Sequence, residues 1–158
     1  MLAGQYKIHL MPKRTNFKKV IRLLLHELKT NKEFSQTIFR IKIFTRPGFS
    51  AENLTFRAQD GTRQLFPLIV VYCGDGKEVA QTALSHINRV VKDETGLGII
   101  PRYNRQINPL ICYGNGDGDF KTDDYIDDYE PGFVHYRSDF IDRGITLDHN
   151  LAVDAISF

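Results

Sequence analysis

The chain opens on a strand pattern. In QYKIHLMP, Tyr6, Ile8 and Leu10 alternate with Lys7 and His9, a period of two that sends successive side chains to opposite faces of a sheet. The period then becomes helical. Behind Thr15, taken as the N-cap, NFKKVIRLLLHELK brings Phe17, Val20, Ile21, Leu24, Leu25 and Leu28 onto one stripe and predicts an amphipathic helix. A second strand is predicted over about 37–45, with Phe39, Ile41 and Ile43 on one face and Arg40 and Lys42 on the other, closed by Arg46-Pro47-Gly48. Over 49–64, Leu54 and Phe56 alternate with Thr55 and Arg57, and AQDGTRQ predicts a hairpin turn at Asp60-Gly61. LFPLIVVYC is a continuous apolar, β-branched run of strand length, as expected of a strand buried on both faces.

Cys-Gly-Asp-Gly breaks that run, and KEVAQTALSHINRVVK sets Val79, Ala83, Ile87, Val90 and Val91 on one helical stripe that Gly96 is expected to stop. Beyond Gly96 the periodicity fades, leaving one short strand at about Pro109 to Tyr113 and a short helix near Tyr136 to Arg143. The order of elements predicts an α+β fold: a two-layer sandwich with helices on one face of a mixed or antiparallel sheet. Strands flanking a single helix are commonly neighbours in a sheet, so the first two strands are expected side by side. A single domain is expected over 1–158, with its core at about 5–113, an acidic loop at 114–131 and a C-terminal segment at 132–158.

Composition supports a real core, since 42% of the 158 residues are hydrophobic. The formal charge of +2 conceals an uneven distribution. Residues 1–72 carry thirteen Lys or Arg against four acids, a net of +9, which suits an anionic ligand. Residues 117–130 carry seven acids against one Lys. Cys73 and Cys112 sit in apolar settings without CxxC spacing and are read as small buried residues of a reduced compartment. MLAGQYK has no apolar signal core, and no apolar run approaches the roughly twenty residues needed to span a bilayer. A soluble protein is therefore expected, with no membrane partner.

The chemistry-bearing candidates are mostly basic. If the polar faces of the first two strands point the same way, Lys7, His9, Arg40 and Lys42 converge; otherwise each pair is an ordinary solvated strand face. In a converged set, like charges destabilise one another and lower a Lys pKa toward the range of a base, while a neighbouring His supplies the complementary acid. Such a set, with an Arg or Lys clamp, fits removal of a proton from carbon with expulsion of an anion. Arg102 and Arg105, in IPRYNRQ, are candidate anion clamps because a guanidinium donates two hydrogen bonds at once. Arg57 and Arg63 are further candidates, and Tyr72 ends a buried strand where its hydroxyl could line a cleft.

Metal chemistry is not indicated. GNGDGDFKTDDY has Asn115, Asp117 and Asp119 at carboxylate-loop spacing, yet Phe120 stands where the turn Gly belongs and Ile126 where the bidentate Glu belongs. His26, His86, His135 and His149 show no HxxxH or HExxH spacing. The central strands lack the aromatic platform of an RNA-binding sheet, so nucleic acid is not expected as a partner.

Lys7-Ile8-His9, an amphipathic helix, Arg40-Ile41-Lys42, a strand ending in Tyr72, another helix and Pro101-Arg102-Tyr103-Asn104-Arg105 together resemble the phosphothreonine lyase effectors of the OspF and SpvC type. They also resemble the related Hop-type effectors and the lyase domains of lanthipeptide synthetases. The resemblance spans about residues 5–113 and lies in the order of elements and short motifs; Phe133, His135 and Arg137 faintly echo the Hop-type C-terminal part. It implies a bacterial effector, delivered into a host cell without a cleaved signal peptide or kept in the bacterial cytoplasm. It further implies β-elimination of phosphate from phosphothreonine or phosphoserine in a protein or peptide, with no cofactor and no metal. By position, Lys42 takes the α-proton and His9 protonates the departing phosphate. Lys7, Arg40, Arg102 and Arg105 hold the phosphate, with Arg63 or Arg57 as a further clamp and Tyr72 lining the pocket. Arg40 stands where the effectors tend to have Lys. The same basic face would also serve a non-catalytic module that binds phosphoprotein or another anion.

Overall fold

Alternation and helical stripes translate directly into backbone over much of the chain. The computed structural model describes residues 6–44, 55–57, 63–65, 69–74, 76–100, 104–114 and 133–137. In chain order the elements are β1 (Lys7–Leu10), α1 (Phe17–Thr30), α2 (Lys32–Thr37), β2 (Ile38–Phe44), β3 (Thr55–Arg57), β4 (Arg63–Leu65), β5 (Ile69–Cys73), α3 (Lys77–Val90), β6 (Arg105–Gln106), β7 (Ile111–Gly114) and β8 (Phe133–Arg137). Helices and an open sheet whose strand pairs are all antiparallel make this an α+β fold.

Six strands of the described residues form the sheet in the order β6-β7-β1-β5-β2-β8, and β3 pairs with β4 separately as the expected hairpin. β1 and β2 are not neighbours. β5 lies between them, antiparallel to both, so the two basic strands run parallel to each other across an inserted third. The connection is a split β-α-β unit.

The hydrophobic stripe of α1 enters the core whole: Phe17, Val20, Ile21, Leu24, Leu25 and Leu28 are all buried. They share that core with Phe34 of α2, with Ala83 and Ile87 of α3, and with one alternation of the strands, namely Ile8, Leu10, Ile41, Ile43, Ile69, Val71, Cys73 and Ile111. Burying one such Leu or Ile contributes about 1.5–3 kcal/mol. Of the stripe expected on α3, Val79 and Val90 are only partly buried, while Val91 is buried.

Several expectations are corrected. The N-cap of α1 is Asn16 rather than Thr15, and its amide donates to the Thr95 carbonyl oxygen (2.9 Å) instead of capping the helix. α2 was not foreseen; Asn31 caps it, its side-chain oxygen accepting from Phe34 N–H at 3.2 Å. LFPLIVVYC is divided, with Leu65 ending β4 and β5 beginning at Ile69, every residue of which is buried. β2 carries a bulge: Ile38 pairs with Cys73 but Arg40 with Tyr72, leaving Phe39 as the extra residue. Ile38 thereby joins Ile41 and Ile43 in the core, and Phe39, expected there, is half-buried. α3 ends at Val90, well before Gly96. Tyr136 and Arg137 belong to β8, where a helix was expected, and 138–143 lie outside the described residues. The acidic segment 117–130 lies outside them too. Among the described residues, no helix is long and apolar enough to cross a membrane.

Candidate functional site

The alternation left out of the core builds the site. Residues directly opposite one another across an antiparallel pair share a face, and the register aligns two rows. In one, Tyr72 of β5 stands between Lys7 of β1 and Arg40 of β2; in the next, Val70 stands between His9 and Lys42. Four basic residues from two strands thus surround a Tyr and a Val, with His9 and Lys42 two strand spacings apart, roughly 9.5 Å between backbones. β7 adds Cys112 beside His9, and the β8 register sets His135 opposite Lys42 and Arg137 opposite Arg40.

This face is not a wet one. Lys7 and Arg40 are 1% exposed, His9 is fully buried and Tyr72 is 3% exposed, while Lys42 is half-buried. The solvated-face reading of the two Lys/Arg-bearing strands therefore fails for three of its four residues. The Tyr72 ring organises the cations: Lys7 Nζ lies 5.5 Å from its centroid and Arg40 Cζ 5.2 Å, both within the range at which the ring quadrupole attracts a cation. Holding two like charges against one buried ring costs free energy unless other groups compensate them.

His9 is held from a distant part of the chain. Its Nδ1 lies 2.8 Å from Oδ1 of Asn104, a buried contact across 95 positions of sequence. An amide oxygen only accepts, so Nδ1 carries the hydrogen and Nε2 carries the lone pair. Burial pushes the imidazole down from 6.5 to about 4; the Asn104 hydrogen bond works against this, and the charges of Lys7 and Lys42 work with it. His9 is consequently neutral at pH 7 in the free protein. Burial also pushes the free thiols of Cys73 and Cys112 up, to about 12 and about 11, so the thiol next to His9 is uncharged.

Of the remaining candidates, Arg105 is not brought in. It is exposed on the edge strand β6 and pairs with Tyr113, which stands in the Ile8 row rather than the His9 row. Arg57 and Arg63 face each other in the register of the separate β3-β4 pair. Arg102 lies outside the described residues. The sequence reading gave no role to Asn104, although it named the segment; nothing in a periodicity links positions 9 and 104. The described residues hold no group of His, Cys, Asp and Glu suited to a metal ion.

Set against known proteins, the chain matches no family model, no curated protein and no solved structure.

Proposed function

We propose that the chain is a cofactor-independent lyase that removes phosphate from phosphothreonine or phosphoserine by β-elimination, leaving a dehydroamino acid in a protein or peptide. The single observation that supports it is the convergence of Lys7, His9, Arg40 and Lys42 around Tyr72 and Val70 on one face of the sheet. In this reading the finer architecture is a single domain of two layers, the helices on one side of the sheet and the cationic face on the other, followed by an acidic C-terminal part. Its setting is that of a bacterial effector acting on a phosphorylated host protein.

Lys7 and Arg40, fixed by the Tyr72 ring, hold the phosphoryl oxygens, joined by Arg102. Lys42, the least buried of the four basic residues, takes the α-proton. The C–H electron pair becomes the Cα=Cβ bond, the Cβ–O bond breaks, and its electrons leave on the bridging oxygen. His9 as imidazolium protonates that oxygen, and phosphate departs with no change of oxidation state and no added reactant. His9 and Lys42 flank Val70 from opposite sides, so a small substrate carbon over Val70 would meet base and acid together. Tyr72, at 3% exposure, offers no open ring for a nucleobase to stack on.

Incubation with a phosphothreonine peptide followed by mass spectrometry is expected to show loss of the elements of phosphoric acid; a plain hydroxyl product or an unchanged peptide would refute the lyase. Lys42→Ala is expected to lower turnover by roughly 10²–10⁴-fold with unchanged circular dichroism. A variant at full rate removes Lys42 from the role of base. One observation favours a second reading, a non-catalytic anion-binding module: an imidazole that is neutral at pH 7 is not a ready acid. Phosphopeptide binding that persists in Lys42→Ala, with no product from the parent protein, would select that reading.

A further inference from the structure

The outer face of α1 is basic along its length. Its apolar stripe enters the core, and the six positions left exposed are Lys18, Lys19, Arg22, His26, Lys29 and Thr30. At 100° per residue these fall within an arc of about 120°, on a rod roughly 21 Å long. We propose that this ridge, with two exposed aliphatic side chains beside its first turn, docks the protein on a membrane of anionic phospholipid. It lies on the surface without crossing it, and it shares no residue with the cationic face of the sheet.

Charge is one-sided here. From Lys13 to Lys32 the chain carries seven Lys or Arg against one acid, Glu27. That acid is turned inward: its side chain is 13% exposed and accepts from Asn31 (2.8 Å) and Arg89 (2.5 Å). Lys19 pairs with Glu94, in the loop after α3, at 3.0 Å, whereas Lys13, Lys18, Arg22 and Lys29 form no ion pair among the described residues. Asp93, exposed next to Glu94 in the chain, is matched by exposed Lys92.

The apolar part is local to one end of the ridge. Leu97, 37% exposed, and Ile107, 43% exposed, are the exposed large hydrophobics among the described residues. Leu97 N–H donates to Met11 O (2.9 Å), Pro12 bridges to Gly96, and the Asn16 amide donates to Thr95 O (2.9 Å), which fastens the Leu97 loop to the residues leading into α1. Gly98 N–H donating to Pro109 O (2.8 Å) brings the Ile107 loop alongside. Exposed aliphatics rimmed by Lys and Arg suit the headgroup boundary, where lysine stems lie along apolar surface with their ammonium groups in water. A flat anionic leaflet also needs no matched register along the ridge, and Lys, its commonest cation, is a point charge on a flexible stem. Each Lys or Arg held near such a leaflet strengthens partitioning about fivefold. Nucleic acid fits less well: the exposed ridge positions carry no aromatic ring or side-chain amide to read a base, and Leu97 and Ile107 gain nothing against phosphates. The lack of a spanning helix among the described residues concerns crossing a bilayer, not lying on one.

Co-sedimentation of the full chain with phosphatidylcholine vesicles containing about a third phosphatidylserine is expected to pellet the protein, with none pelleted by phosphatidylcholine alone. Sodium chloride at about 0.5 M, which shortens the Debye length to a few ångströms, is expected to release it. Lys18→Glu, Arg22→Glu and Lys29→Glu together change three exposed side chains that make no ion pair, so circular dichroism should not move while binding falls by roughly a hundredfold or more. Leu97→Ser with Ile107→Ser is expected to weaken binding severalfold and to keep its salt dependence. Should either combined variant lose its fold, Lys18→Gln and Arg22→Gln, each lowering binding about fivefold, carry the same test. Equal binding to neutral vesicles, binding that survives the charge reversal, or no pelleting at millimolar lipid in low salt overturns the proposal. Tighter binding to duplex DNA or to a polyglutamate peptide than to the vesicles overturns it as well, since the ridge would then serve a different anionic partner. Full affinity in Leu97→Ser with Ile107→Ser overturns the part assigned to the aliphatic pair. Elimination from a soluble phosphothreonine peptide is read separately and is untouched by any of these outcomes.

Discussion

A histidine with no access to water is an acid-sensitive point in the fold. His9 titrates near 6.5 in an unfolded chain and near 4 in the folded one, so between these values the unfolded state binds more protons. Stability from this group is complete above pH 6.5 and is lost as pH falls through that interval, by ~3 kcal/mol in all. Urea unfolding at pH 7, 5.5 and 4 should therefore show the parent losing that much more stability than His9→Gln. Glu27 does not mimic this. Burial would raise its carboxyl, but hydrogen bonds from Asn31 (2.8 Å) and Arg89 (2.5 Å), with the Arg89 and His86 charges, hold it below its ordinary value. Its loss falls at lower pH and is common to both proteins. Parallel pH profiles for parent and His9→Gln would mean that His9 is hydrated and its burial illusory.

At the scale of elements, the strand β7 that sets Cys112 beside His9 depends on one glycine. A Cβ on Gly96 would lie 2.3 Å from the Leu110 Cα and 2.3 Å from the Pro109 carbonyl oxygen, both backbone atoms that cannot swing aside. Around it, Met11 N–H donates to Leu110 O (2.9 Å), Leu97 N–H to Met11 O (2.9 Å) and Gly98 N–H to Pro109 O (2.8 Å). Gly96→Ala is expected to cost at least about 1–3 kcal/mol as overpacking, read as a lowered urea midpoint; an unchanged midpoint would deny the close approach. The sequence pointed to this glycine for a different reason, as a helix stop. That error is typical of what was illegible. The six-residue stripe of α1 is written locally and was read in full, because each position repeats on a 3.6 period. The insertion of β5 between β1 and β2, the Phe39 bulge and the Asn104 contact are non-local, and no period in the chain encodes them. α2, at six residues, is too short to show a stripe. The basic alternation of β1 and β2 was legible, but its burial was not, since a solvated face and a covered one have the same polar pattern.

Over the whole molecule, charge and burial combine into a prediction about anions. Residues 1–72 hold a net +9, and three of the basic residues on the cationic face are packed where water does not screen them. Lys7 and Arg40 share one ring, so an anion seated beside them is expected to stabilise the fold. A ligand that binds only the folded state stabilises it by RT ln(1 + [L]/Kd), about 2.7 kcal/mol at a hundredfold excess over Kd. For a chain of this length that corresponds to a rise in Tm of roughly 5–10 °C. Sulfate also stabilises proteins generally by exclusion from their surfaces, but that effect grows steadily with concentration and ignores single side chains. The site-specific effect must saturate in the millimolar range, must not appear with sodium chloride at equal ionic strength, and must vanish in Arg40→Gln. Differential scanning fluorimetry of parent and variant across a sulfate series separates the two. A linear rise shared by Arg40→Gln would reduce the cationic face to a buried structural cluster with no ligand of its own.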